Sequence, residues 1–169
     1  PVFGPFMKTA DPAFVEIAGY SGFDFVILDM EHGPNSIENM QNLVRAATLS
    51  GTVPVIRTSD KREISVGRSL DLGALGVQVP QVSTPEEARE VVRAARFHPE
   101  GNRGVCAYVR AAAYSSLPAT QYFRDANQTL VAFNEKLSGT RSNSAYTGDD
   151  FSGLMSPEMY REFAIPCYK

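Results

Sequence analysis

The chain has 169 residues, 43% hydrophobic and 21% charged, which suits a single domain with a sizeable core. Its net charge of −3 gives no basic footprint for nucleic acid or an anionic membrane, and no apolar run is long enough to span a bilayer. Cys106 and Cys167 lie far apart and fit no metal or disulfide spacing, so the expected setting is reducing and cytoplasmic. No signal peptide is visible, and with Pro1 in place of an initiator Met the N-terminus reads as trimmed.

In chain order, the first hundred residues repeat one theme. "VFGPFM", Val2 to Met7, is a short apolar strand. "DPAFVEIAGYSG" reads as a helix with Asp11 as N-cap, Pro12 at the first helical position and Gly22 at the close. A second strand runs from Phe23 to Leu28. The next helix, from about Ser36 to Ser50, places Ile37, Met40, Leu43, Val44 and Ala47 at helical spacing and stops at Gly51. "TVPVIRT" is a third strand, and "DKREISVGRSLDLG" pairs Asp60 with Glu63 in a capping-box spacing before Gly73. "ALGVQVP" is a fourth strand, followed by a helix over "TPEEAREVVRAAR" with Thr84 as cap and Pro85 at its first position. "DANQTLVAF", with Asn127, reads as a helix end running into a fifth strand from Thr129.

Successive strand–helix units with nearly uniform apolar strands imply parallel strands covered by helices. In such folds ligands gather at the strands' C-terminal ends. The second strand ends in Asp29, Glu31 and His32, the third in Arg57, and the fourth in Gln78. A strand-end histidine on its own is usually structural. The convergence of these residues at one edge is what favours chemistry. Asp29 and Glu31 read as groups that orient the histidine, and the loop "HPEGNRG", with His98, Arg103 and Gly104, reads as a structured turn.

"GFDFVILDMEHGPNS", "VPVIRT", "RSLDLGALGVQVPQVSTPEEA" and "HPEGNRG" together resemble the HpcH/HpaI aldolase family, in that order and over roughly residues 1–133. The resemblance implies a TIM-type (β/α) barrel and metal-dependent aldol cleavage of a 4-hydroxy-2-oxo acid to pyruvate and an aldehyde. It makes His32 the acid/base and Arg57 the grip on the pyruvyl carboxylate and enolate oxygen. Asp71 is similar to the aspartate that pairs with the histidine, often across a subunit contact, although its place before Gly73 also suits a helix terminator. Gln78, by its strand-end position, reads either as a substrate contact facing the pocket or as a packing polar. The residue types suit the chemistry. Imidazole titrates near neutrality, and a guanidinium gives a carboxylate two parallel hydrogen bonds. A divalent ion (Mg, Mn or Co) chelated by the keto acid stabilises an enolate.

The family's metal carboxylates lie in patterns like "VxxQIE" and "GPADLS". Here "TLVAFNEKLSG" puts Asn134 at the glutamine position, as a substrate contact, and Glu135 one residue early; "TGDDFSG" offers Asp150. Glu135 and Asp150 are the metal-ligand candidates, although a one-residue slip turns a strand side chain to the other face. A complete barrel takes about 250 residues, so about five of eight units are expected in this chain. Residues 134–169 read as an atypical C-terminal segment rather than a separate domain. The ending "SPEMYREFAIP" resembles the uroporphyrinogen decarboxylase family. The expected substrate is a small 2-oxo acid of pyruvate or oxaloacetate type, and the expected assembly a homo-oligomer. The alternatives are a catalytically inactive partial barrel acting in assembly or interaction, and a decarboxylase- or methyltransferase-like protein.

Overall fold

The computed structural model describes residues 3–138 and 147–148, with side chains as far as residue 128. Strands β1 (Phe6–Met7), β2 (Phe25–Asp29), β3 (Val53–Arg57), β4 (Gly76–Gln78) and β5 (Thr147–Gly148) form one sheet in sequence order. All four pairings are parallel. Helices α1 (Pro12–Tyr20), α2 (Ile37–Leu49), α3 (Glu63–Asp71) and α4 (Pro85–Ala95) alternate with the first four strands. A short 3-10 turn (Arg110–Ser115) and α5 (Ala119–Ser138) follow. Among the described residues this is an α/β fold with a parallel sheet, and the sheet is not closed into a barrel. No described helix is long and apolar enough to cross a membrane.

Local chemistry explains most boundaries. Asp11 accepts from the Ala13 amide, Ser36 from Asn39 and Thr84 from Glu87, each satisfying an otherwise orphaned donor in a helix's first turn. Gly22, Gly51 and Gly73 take positive φ just past the ends of α1, α2 and α3, where a side chain would be strained. The expected capping box at α3 does not form. Asp60 instead accepts from the Arg62 amide at 3.0 Å, the Ser65 hydroxyl at 2.6 Å and the Arg62 guanidinium at 2.7 Å. Arg62 in particular holds the Asp60 carboxyl well below the usual range.

The expected fifth strand from Thr129 is a correction. Residues 119–138 are one helix, α5, and the fifth strand is Thr147–Gly148 beside β4. Tyr122, Ala126, Leu130 and Phe133 recur at helical spacing, which a β-propensity reading of "TLVAF" overlooks. Asn127 is not a junction residue. Its side chain is buried in α5 and bonds Phe97 twice, accepting from the amide at 3.0 Å and donating to the carbonyl at 3.3 Å. Tyr122 packs edge-on and Phe123 tilted against Phe97, with ring centroids 5.5 and 4.7 Å away, which docks α5 on the chain just after α4.

The sheet has two faces because strand side chains alternate. Val26, Leu28 and Ile56 pack beneath α1 and α2 with Val15, Met40, Leu43 and Val44. Val77 and Val79 pack beneath α3 and α4 with Val66, Leu70 and Val91. Burying each such side chain is worth about 1.5–3 kcal/mol. Ile27, Asp29, Arg57 and Gln78 alternate with these and therefore belong to the face away from the helices.

Candidate active site

Register sets the site. Asp29 lies beside Arg57, Arg57 beside Gln78, and Gln78 beside Gly148, all at the C-terminal edge of the sheet. Parallel neighbours in register point to one face, so three polar side chains from three strands stand in a row there.

Arg57 is buried, and its fork is filled by Asp29: Nε donates to Oδ1 at 2.9 Å and Nη2 to Oδ2 at 2.7 Å. The Phe6 ring lies over the guanidinium with its centroid 4.9 Å from Cζ. Asp29 is wholly buried, and Oδ1 also accepts from the Glu31 amide at 2.9 Å and the His32 amide at 3.2 Å. Burial raises its pKa, but Arg57 and those two amides outweigh that and hold the carboxyl below its usual range. Asp29 is thus a fixed anion that aligns the guanidinium and folds the loop carrying His32.

Glu31 sits differently. Its Oε2 lies 3.1 Å from Arg57 Nη1, yet it is buried and has no aligned hydrogen-bond donor. This ion pair is close in distance and poor in direction. His32 projects outward, its side chain 60% exposed, with Nε2 3.7 Å from Glu31 Oε1. Gln78 is buried, and among the described residues its Oε1 has no hydrogen-bond partner, an acceptor left open in the row. The loop after β2 is tightly specified. Asn35 Nδ2 donates to the Thr9 and Asp29 carbonyls at 3.2 and 3.3 Å. A Cβ on Gly33 would stand 2.3 Å from the Asp29 carbonyl oxygen, so only glycine allows that approach.

The structure therefore brings His32, Arg57 and Gln78 to one edge. Asp71 is elsewhere. It ends α3, at the level where β4 begins, so within one chain it lies at the opposite end of the sheet from His32. There it forms an ion pair with Arg103 at 2.6 Å. Arg103 is no mere turn residue: it is buried, with Phe97 beneath its guanidinium at 4.4 Å. The side chains of Asn134 and Glu135 lie outside the described residues; their backbone belongs to α5 rather than to a strand. Asp150 lies wholly outside. No three His, Cys, Asp or Glu side chains among the described residues are grouped to hold a metal ion. Asp29 and Glu31, the carboxylates at the edge, both face Arg57, so the described residues do not make up a divalent-ion site.

The HpcH/HpaI aldolase/citrate lyase family profile matches residues 3–142. The chain belongs to this family. A hydroxypyruvate/pyruvate aldolase of Roseobacter denitrificans is 36% identical over 139 residues, which is 82% of this chain and 54% of that protein. A 2-dehydro-3,6-dideoxy-6-sulfogluconate aldolase of Pseudomonas putida is 33% identical over 127 residues, 75% of this chain and 49% of that protein. A solved HpcH/HpaI family protein from Burkholderia cenocepacia superposes with TM-score 0.71 at 32% identity, covering 76% of this chain and 52% of the other. The chain spans about half the length of the curated relatives it matches. The likeness of the ending to uroporphyrinogen decarboxylase gains no support from these relatives, which are aldolases or HpcH/HpaI family proteins.

Asp29 is the site residue that sequence reasoning undervalued. It reads as an orienting group for the histidine, whereas its main partner is the guanidinium of the neighbouring strand. The available signal was a carboxylate and an arginine at the ends of consecutive strands expected to run parallel.

Proposed function

We propose that the chain carries the pyruvate-binding half of a carbon–carbon lyase that cleaves a 4-hydroxy-2-oxo acid to pyruvate and an aldehyde. The observation that carries this reading is the arginine fork fixed by Asp29 at a strand end, with an exposed imidazole on the next loop. Arg57 holds the substrate carboxylate. Glu31 is poorly aligned on Nη1, so an incoming carboxylate displaces it at small cost. Gln78 Oε1 accepts a hydrogen bond from a substrate hydroxyl or an ordered water. His32, directly or through a water, removes the proton of the C4 hydroxyl. The C3–C4 bond then breaks, its electrons pass into the pyruvate enolate, and the aldehyde leaves.

The divalent ion (Mg, Mn or Co) belongs to this reading through the family, with Glu135 and Asp150 as its candidate ligands. When bound, such an ion supplies Lewis-acid stabilisation of enolate charge. Asp71 belongs to it as a partner for the His32 of a neighbouring subunit. The setting proposed is cytoplasmic, and the substrate class is small 2-oxo acids.

The test is exchange of pyruvate methyl protons for deuterium, followed by NMR with and without Mg, Mn or Co, alongside cleavage of a 4-hydroxy-2-oxo acid. Exchange and cleavage that both need His32 support the lyase. Absence of both, with divalent ions not bound, favours the second reading, an inactive partial barrel that serves in assembly. That alternative draws on the lack of a grouped ligand set among the described residues.

A further inference from the structure

At the end of the sheet opposite His32 and Arg57, a cavity of about 460 Å³ lies between the starts of β3 and β4, the Arg110–Ser115 turn and α5. Its size falls in the range of small-molecule sites. Most of its wall is apolar, including Leu70, Leu75 and Leu117, but Arg103, Arg110 and Tyr122 also line it. Arg110 is half-buried at one side of this space. Its guanidinium donates to the Leu72 carbonyl at 3.2 Å and, weakly, to Thr48 Oγ1 at 3.4 Å, both neutral acceptors. Among the described residues no carboxylate pairs with it. Burial and the like charge of Arg45 both act against its protonated form. Arg103 is balanced by Asp71, and its buried Nε has no hydrogen-bond partner among the described residues. Among the described residues, a half-buried cation without a counter-ion therefore borders a largely apolar space, and it lacks what an anion provides.

We propose that this cavity binds a small amphipathic monocarboxylate, its head at Arg110 and its apolar body against Leu70, Leu75 and Leu117. Asp125 also lines the space and sets a negative charge near it, which favours a singly charged head over a dianion. The site is separate from the strand ends that hold Arg57, and its occupancy does not depend on the lyase reading.

Hexanoate serves as the probe on the 169-residue chain, with hexanamide as its uncharged counterpart and inorganic phosphate as the head-only control. Calorimetry should show saturable hexanoate binding, with hexanamide and phosphate each weaker by at least about tenfold. Saturating pyruvate should leave that binding in place, because pyruvate would occupy the opposite end of the sheet. Arg110→Gln should weaken hexanoate by about tenfold or more. Leu117→Trp, which fills the space and leaves the charge intact, should do the same while the thermal melt stays cooperative. No saturable binding, equal affinity for hexanamide, or loss of the signal to pyruvate would each overturn the proposal. So would undiminished binding in Leu117→Trp, which keeps the test decisive should Arg110→Gln fail to fold.

Discussion

At the residue scale, Asp29, Arg57 and His32 divide one site into a fixed part and a free part. His32 is exposed, its amide bonded to Asp29 and its imidazole 3.7 Å from Glu31, so the imidazole can be removed without disturbing the Asp29–Arg57 pair. His32→Ala is expected to lower cleavage kcat by about 10²–10⁴-fold while pyruvate binding, read by calorimetry, changes little. Full turnover in that variant would take His32 out of the mechanism. Arg57→Lys retains charge but not the fork that Asp29 fills at 2.9 and 2.7 Å. Its kcat/KM is expected to fall at least about tenfold and not to exceed that of Arg57→Ala by much, since an ammonium cannot align two parallel bonds. A lysine variant near wild type would contradict the bidentate role. The pH dependence follows from Asp29. Its folded pKa is depressed, so its contribution is complete above the ordinary aspartate range and is lost as pH falls through the lower folded value. Melting temperature should therefore drop on acidification, and drop less in Asp29→Asn, which has no carboxylate to protonate. An equal decline in both would mean that other carboxylates govern acid stability.

At the element scale, glycines separate what the sequence states from what only the fold reveals. Gly67 lies inside α3, and a methyl group added there would meet nothing within 4 Å, so Gly67→Ala is expected to stabilise by about 0.5–1 kcal/mol through helix propensity. Gly73 has φ +92°, and its Cβ would stand 2.4 Å from Arg110 Nη1, so Gly73→Ala is expected to destabilise by more than about 1 kcal/mol. Urea melts of the pair check both signs, and a stabilising Gly73→Ala would mean the α3 end rearranges freely. The stop at Gly73 is legible in the sequence as a C-terminal signal; its clash with an arginine 37 positions later is not. The same division runs through the chain. Caps at Asp11, Ser36 and Thr84 are local chemistry and can be read in advance. The helical state of Thr129–Phe133 is set by a continuous helix docked through Tyr122, Phe123 and Asn127 on Phe97, about thirty residues upstream, and short apolar runs do not disclose such partners. The placement of His32, Arg57 and Gln78 at one edge of the sheet is legible because strand ends are legible. The Asp29 clamp needs the register, and the Asp71 ion pair needs the fold that brings Arg103, 32 positions later, to the end of α3.

At the scale of the whole molecule, the sheet has β1 at one edge and β5 at the other, and the β1 side is conspicuously apolar. Phe3 and Phe6 are 63% and 48% exposed, and Phe14, Ile17 and Tyr20 on α1 are exposed as well. Such edges and faces favour association. An oligomer is therefore expected by light scattering at low micromolar concentration, and a compact, cooperatively melting monomer would contradict it. Assembly also bears on catalysis, because His32 and Asp71 stand at opposite ends of one chain's sheet. If Asp71 acts on His32, it does so between subunits, and two separately inactive variants should repair each other. His32→Ala supplies an intact Asp71, and Asp71→Ala supplies an intact His32. Unfolded together and reassembled in equal amounts, they should regain roughly a quarter of wild-type sites by random pairing. Each alone should remain inactive under the same treatment, which separates complementation from refolding losses. A mixture no more active than its parts, in a protein shown to be oligomeric, would confine Asp71 to its ion pair with Arg103 and leave the β2 loop to orient His32 unaided.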